Sequence, residues 1–278
     1  MIHYLIDTSW LLYRGYYSSA KIWEDNPELH FLTKKLDSLL QRSDAIVHLA
    51  IDGYNTKGRR LLGENYKAGR HEEGSYNVYN GLASFLKLLN NDRIKVYYNK
   101  NLESDEIIFT LSRTLDGRKK IISGDKDIFQ ALAPNVIIDN GGDLAITDES
   151  YKLEYADKFF GIDPIRLPIY RAIVGDSSDT LKPPVPRFPH KLAAKIAKDV
   201  AYAGHTPTID DIKAISKAYK DSEKKWLDKL FEAHSAFAIN FDIMKLNVVT
   251  DSLNEPYDYK EIELTTFLKS KILKLNSL

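Results

Sequence analysis

Cysteine is absent, so disulfides, zinc thiolate sites and cysteine nucleophiles are excluded outright. Net charge is absent too. The 39 Lys and Arg balance the 39 Asp and Glu, so no global basic field advertises a nucleic-acid partner, and any such partner must be held by a local basic face. No apolar run approaches the ~20 residues that span a bilayer, and the first residues show no basic leader followed by an apolar segment. The expectation is a soluble, unexported, cytoplasmic protein with no membrane partner and, by default, a monomer. No P-loop, serine triad or dinucleotide fingerprint is legible. What is present is a chain of 278 residues, enough for one large domain or a main domain with a smaller one appended.

The informative feature is where its apolar runs stop. Ile121-Ile122 reads as the end of a buried strand, Gly124 turns the chain, and Asp125 and Asp127 stand just beyond, where open α/β sheets place their ligands. The run Ile2–Ile6 stops at Asp7, and the near-continuous apolar run Ala45–Ile51, typical of a strand covered on both faces, stops at Asp52-Gly53. A strand at Ile94–Tyr98 leads to Glu103-Ser104-Asp105-Glu106, the acidic opening of a helix through Leu115. Helical periodicity over Glu28–Arg42, after Pro27 in the first turn, and over Tyr79–Leu89 supplies crossovers. Asn135–Ile138 reads as one more strand, with a hairpin to Leu144–Ile146. The alternation predicts an α/β fold: a parallel-centred sheet flanked by helices over residues 1–160.

From 161 to 278 strands largely disappear, and a helical region is expected. A helix over Pro164–Val174 ends at Gly175-Asp176-Ser177-Ser178-Asp179. The proline run Pro183–Pro189 follows, which cannot be helix interior, and then a helix with a lysine stripe at Lys191, Lys195 and Lys198. Between Lys182 and Lys229 eleven Lys or Arg face six acids, a candidate basic surface or an ordinary solvated face. A second basic stretch, at about 57–80, carries Lys57, Arg59, Arg60, Lys67 and Arg70 around Tyr66 with few large apolar residues.

Nine carboxylates (Asp7, Asp52, Glu103, Asp105, Glu106, Asp125, Asp127, Asp176 and Asp179) thus stand at strand ends and helix starts. They cannot converge without counter-charge. Oxygen-only donors with no organised Cys or His set point to Mg²⁺ or Mn²⁺, and two such ions ~4 Å apart imply metal-assisted phosphodiester hydrolysis.

In order along the chain, Asp7 with Leu11-Leu12-Tyr13-Arg14, Asp52 with Arg59 and Tyr66-Lys67-Ala68-Gly69-Arg70, Glu103-Ser104-Asp105-Glu106, Ser123-Gly124-Asp125-Lys126-Asp127 with Gln130, and Gly175-Asp176-Ser177-Ser178-Asp179 resemble the ordered motifs of the 5′ nuclease superfamily. That family includes flap endonucleases, phage 5′-3′ exonucleases and RNase H, and the 5′-nuclease domain of DNA polymerase I. The resemblance spans roughly residues 1 to 200 and implies a PIN-like core and a two-metal nuclease acting on DNA with 5′ ends or flaps, or on RNA in RNA–DNA hybrids. It places Asp7, Asp52, Glu103, Asp105 and Glu106 around a first ion, and Asp125, Asp127, Asp176 and Asp179 around a second. It gives Lys67 and Arg70 the scissile phosphate as a catalytic basic pair in an arch, and Arg14, Arg59, Tyr66, Arg187, Lys191 and Lys195 the strand or duplex. A replication polymerase or single-strand-binding protein becomes a candidate partner, and a stand-alone enzyme is expected.

The chain departs from the family in three places. Glu106 stands where the family usually has Asp. At about 175–200 the family's helix-hairpin-helix uses glycines whose N–H groups approach a phosphate and whose turn commonly holds a monovalent cation such as K⁺. Arg187 and Pro189 occupy those glycine positions, and Pro189 has no N–H to donate. The segment available for the arch, 67–103, is short. Two other readings are a PIN-like ribonuclease, which lacks the Gly175–Asp179 motif and the basic helices, and a non-catalytic branched-DNA binder, expected to have lost several acids.

Overall fold

A computed structural model describes residues 1–23, 25–63, 66–67, 77–141, 145–147, 160–202, 207–257 and 261–278. In chain order its elements are β1 (Ile2–Asp7), α1 (Thr8–Ser19), α2 (Pro27–Leu40), β2 (Ala45–Ile51), α3 (Lys57–Leu62), α4 (Leu82–Leu88), β3 (Ile94–Tyr98), α5 (Ser104–Thr114), β4 (Arg118–Ile122), β5 (Val136–Asp139), α6 (Leu167–Val174), α7 (His190–Asp199), α8 (Ile209–Ser216), α9 (Asp221–Glu232), α10 (His234–Met244) and α11 (Thr266–Leu275). They form two compact units, residues 1–56, 73–147 and 247–278 in the first, and 57–72 and 148–246 in the second. No helix among the described residues is long and apolar enough to cross a membrane.

The first unit is organised by a sheet of order β3-β2-β1-β4-β5, every pairing parallel. The continuous apolar runs of β1 and β2 exist because both faces are covered: Leu5, Ile6, Leu49 and Ile51 have no exposed surface. After β1 the chain steps outward to β2 and β3, then returns to place β4 on the other side of β1. The carboxyl ends of β1 and β4 therefore flank a topological switch point, the crevice where open sheets bind ligands. The expected hairpin survives as an antiparallel bridge between Ile138 and Ile146, residues 142–144 lying outside the described ones.

Residues 247–278, expected with the helical region, instead close the sheet unit. Tyr98 at the edge strand donates its N–H to Leu253 O (2.7 Å) and accepts from Glu255 N (2.9 Å), which occupies backbone groups an open edge would leave unpaired. Leu268, Ile272 and Leu275 of α11 are buried in the cluster that holds Leu29, Leu32 and Leu36 of α2.

The second unit is helical. Asn240 on α10 donates to Ala172 O (3.2 Å) and Lys182 O (2.9 Å), tying α10 to α6 and to the segment after it. The Arg166 guanidinium donates to the carbonyls of Ala197, Lys198 and Val200, satisfying acceptors that the end of α7 leaves without intrahelical partners. Between α6 and α7 the proline run reaches Arg187, whose φ of 58° lies in the left-handed region that glycine enters without steric cost.

Candidate active site

Asp7 ends β1 and caps α1, its Oδ1 accepting the Trp10 N–H at 3.0 Å. Two serine hydroxyls also donate to it, Ser104 to Oδ1 at 3.0 Å and Ser123 to Oδ2 at 2.8 Å. Ser104 then uses its backbone N–H on Asp52 Oδ1 at 2.7 Å. One residue at the start of α5 thus holds the carboxylates that end β1 and follow β2, while Ser123, just past β4, holds Asp7 from the other side. The positive end of the α5 dipole faces the same acids. Asp52 also accepts from the Tyr79 hydroxyl at 3.5 Å, and burial, followed by the Asp52 charge, pushes that phenol well above its ordinary value.

Burial and then the neighbouring Asp52 charge push the Asp7 carboxyl up to about 7, against the opposing effect of the Trp10 and Ser123 donors. This is the electrostatic signature of a buried acid that lacks counter-charge. The chain past β4 continues the network: Ser123 Oγ accepts from Asp125 N at 3.1 Å, and Asp125 Oδ1 from Asp127 N at 2.9 Å. Asp125 is exposed and Asp127 buried. Gly124, between Ser123 and Asp125, is required by space, since a Cβ there would stand 2.4 Å from Trp10 Nε1.

Glu103 and Glu106 form a reciprocal capping box on α5, in which Glu106 Oε2 accepts the Glu103 N–H at 3.2 Å. Asp211 makes the same backward bond to Thr208 N at 2.8 Å on α8, so the bond itself does not explain why a glutamate stands where an aspartate was expected. Asp105 shares the same first turn. Among the described residues no group of three or more Asp, Glu or His is drawn together tightly enough to hold a metal ion in this arrangement. The donor chemistry nevertheless suits a hard divalent cation: the pocket offers only oxygen, and its most buried acid is one whose ionised form burial and a like charge disfavour.

Asp176 and Asp179 lie in the second unit. Asp176 opens a short 3₁₀ turn, accepting from Ser178 N (2.8 Å) and Ser178 Oγ (2.5 Å), and pairs with the Arg171 guanidinium. Gly175 before it has φ 77°, with Leu181 O only 2.6 Å from where a Cβ would sit. Asp179 is buried.

The basic residues divide. Arg14 donates to Asn140 O (3.3 Å) and Gly141 O (3.1 Å) and lies over the Trp10 ring. Tyr66 is 4 % exposed, packed with Leu62, Leu181, Ile243 and Met244, and so close to Gly58 that a Cβ there would stand 2.2 Å from its ring. An arginine or tyrosine in a motif carries no mark of which neighbour it meets. Lys67 Nζ stands 5.0 Å from the Tyr66 ring centre, and Arg70 lies outside the described residues. Arg59, Arg187 and Lys191 are exposed, whereas Lys195 pairs with Glu223 at 3.4 Å and lies 3.8 Å from the Tyr219 ring centre. Ser104, Ser123, Tyr79 and Arg171 have roles that sequence reasoning missed. The two serines stood inside the acidic motifs, the only signal available.

The chain matches the family model of the 5′-3′ exonuclease, N-terminal resolvase-like domain, over residues 3–158. It is 29% identical over 219 residues to DNA polymerase I of Bacillus caldotenax, covering 75% of this chain and 25% of that one. It thus spans about a quarter of the length of the DNA polymerase I relatives from Bacillus and Geobacillus that it matches. A 5′-3′ exonuclease of Aquifex aeolicus is 23% identical over 278 residues, covering 96% of this chain and 93% of that one. Two solved structures share the fold. The T5 D15 protein co-crystallized with metal ions has a TM-score of 0.62 at 15% identity, over 99% of this chain and 100% of that one. Human GEN1 in complex with Holliday junction DNA has a TM-score of 0.53 at 15% identity, over 94% and 64%. Residues 3–158 contain the parallel sheet and every strand-end acid of the first unit, and the chain belongs to the 5′-3′ exonuclease family of the 5′ nuclease superfamily.

Proposed function

We propose that this chain is a divalent-metal-dependent, structure-specific nuclease that hydrolyses phosphodiesters near the 5′ ends of DNA strands, at flaps, or of RNA in RNA–DNA hybrids, as in the removal of primers or flaps during replication. The observation that carries this reading is the Ser104 joint, which holds Asp7 and Asp52 together at the carboxyl end of a parallel sheet, beside its switch point. The family membership and relatives named 5′-3′ exonuclease support it. So does the likeness in fold to a T5 flap endonuclease described in complex with DNA and metal ions (TM-score 0.58).

Two Mg²⁺ or Mn²⁺ ions, when bound, would supply an activated water and stabilisation for the leaving oxygen. Within the first unit, Asp7, Asp52, Glu103, Asp105 and Glu106 are assigned to the first and Asp125 and Asp127 to the second, in part through water. Ser104 and Ser123 orient Asp7 so that its oxygens keep fixed directions whatever occupies the pocket. Lys67 and Arg70 bring positive charge to the scissile phosphate, which the acids alone repel. Arg187 and Lys191, exposed at the start of α7, contact the duplex backbone, with Arg59 on the strand side.

Cleavage of end-labelled 5′-flap, nicked, blunt-duplex and RNA–DNA substrates, with Mg²⁺ or EDTA, tests the reading beside the Asp125→Asn protein. Cuts near the 5′ junction that need Mg²⁺ and vanish in the variant, with DNA binding retained, are expected. No cleavage of any substrate, or equal cleavage by wild type and variant, would refute it.

A further inference from the structure

A second site stands apart from the acids. Within the first unit, the end of α1, the start of α2 and α11 enclose a cavity of about 620 Å³, in the range of small-molecule sites and sharing no residue with the hydrolytic site. One wall is aromatic. Trp23 and His30 line it and stack with ring centroids 4.2 Å apart and 17° between planes; Phe267, behind the lining, stands 5.5 Å from Trp23. Lys271 Nζ stands 4.8 Å from the centre of the Trp23 ring and 4.3 Å from that of Phe267. Burial and then the Lys271 charge lower the His30 pKa, against the opposing Asp25 charge.

Among the described residues the remaining lining is strongly basic: Lys34, Lys35, Lys271 and Lys274 against Asp37, with the Asp25 charge also acting on His30. Ile22, on the same cavity, is 71% exposed, a large apolar surface left in water beside a concentrated positive charge. A purely apolar ligand would make no use of the four ammonium groups. A bare anion would make no use of the rings. A planar heteroaromatic carrying a phosphate uses both, since every base offers a π face and lysine serves phosphate as a point charge.

We propose that this cavity binds a nucleoside phosphate, free or as one residue of a single strand, with its base against Trp23 and its phosphate among Lys34, Lys35, Lys271 and Lys274. The site goes beyond the hydrolytic reading and does not depend on it, because its test measures binding where nothing can be cut.

The full chain is titrated calorimetrically in EDTA with deoxyadenosine monophosphate, deoxyadenosine, inorganic phosphate and a short oligodeoxyadenylate. Saturable binding of the monophosphate supports a free nucleotide, and saturable binding of the oligomer alone supports a residue of a strand. In either case Lys271→Ala and Lys34→Ala each weaken affinity by about fivefold or more, while Mg²⁺-dependent strand cleavage stays at the wild-type rate. Three results would overturn the proposal: no saturable binding of the monophosphate or the oligomer, inorganic phosphate binding as tightly as the monophosphate, or an affinity unmoved in both lysine variants. Both lysines are solvent-accessible side chains on formed helices, and circular dichroism checks that their removal leaves the fold intact.

Discussion

Replacing Ser104 by alanine removes a single oxygen from the centre of the acid network. Ser104 and Asp7 are each at most 6 % exposed, so no bulk water replaces the lost 3.0 Å hydrogen bond to Asp7 Oδ1, which then keeps only the Trp10 N–H. The Ser104 N–H on Asp52 is untouched, because it belongs to the backbone. Hydrogen bonds to charged groups contribute about 1.5–3 kcal/mol. If that stabilisation serves to hold Asp7 in its working direction, kcat/KM on a 5′-flap substrate falls by about 10- to 100-fold, at ~1.4 kcal/mol per decade. Stopped-time cleavage at saturating Mg²⁺ reads this directly. Ser112→Ala is the control: it deletes another buried hydroxyl of α5, one that donates to Phe109 O at 2.6 Å, and it should lower stability in urea without changing the rate. Equal rates for wild type and Ser104→Ala, or equal losses in both variants, would show that the hydroxyl does not position Asp7.

Other consequences follow from the same geometry. Gly124→Ala forces a Cβ into Trp10 Nε1, and should cost about 1–3 kcal/mol in urea unfolding and slow cleavage as well, because the strain falls between Ser123 and Asp125. Arg187→Gly relieves a left-handed arginine and should raise stability by about 1 kcal/mol while weakening duplex binding; an unchanged midpoint would mean that the φ of 58° is not strained. The pair His3–His48, with Nδ1 and Nε2 2.9 Å apart and the Tyr97 hydroxyl 3.1 Å from His48 Nδ1, should destabilise the sheet on acidification. Burial, then the His3 and Lys95 charges, lower His48 to about 4 from 6.5, so the folded state disfavours its protonation. The stability is fully present above pH 6.5 and is lost as pH falls toward 4, by about 2 kcal/mol after allowing for residual solvent contact. Urea midpoints for wild type and His48→Gln between pH 7 and 4 should converge on acidification; parallel curves would remove His48 as the cause.

The positions of the strand-end acids were legible without coordinates. A strand covered on both faces is largely apolar, so the first carboxylate after Ile6 and after Ile51 marks the strand's end, and in β4, which opens on Arg118-Lys119-Lys120, the pair Ile121-Ile122 ahead of Gly124 and Asp125 does the same. The parallel order followed from strand and helix alternating, and the Pro27 start of α2 from proline's lack of an N–H. These are properties of residues near one another in the chain, set by burial and backbone geometry.

What only the tertiary structure decided depends on long-range neighbours. Ser104 meets Asp7 across 97 positions and Ser123 meets it across 116, and nothing local distinguishes either serine from one that merely begins a helix or a turn. Glu106 folds back to cap α5, Tyr66 disappears under Leu181 and Ile243, Arg14 spends its donors on Asn140 and Gly141, and α11 returns to α2. The cavity beside Trp23 exists only because α11 comes back to α2. A side chain's identity fixes which bonds it can make, but its partner is chosen by packing the whole chain at once, and that choice settles which residues of a motif are free to act.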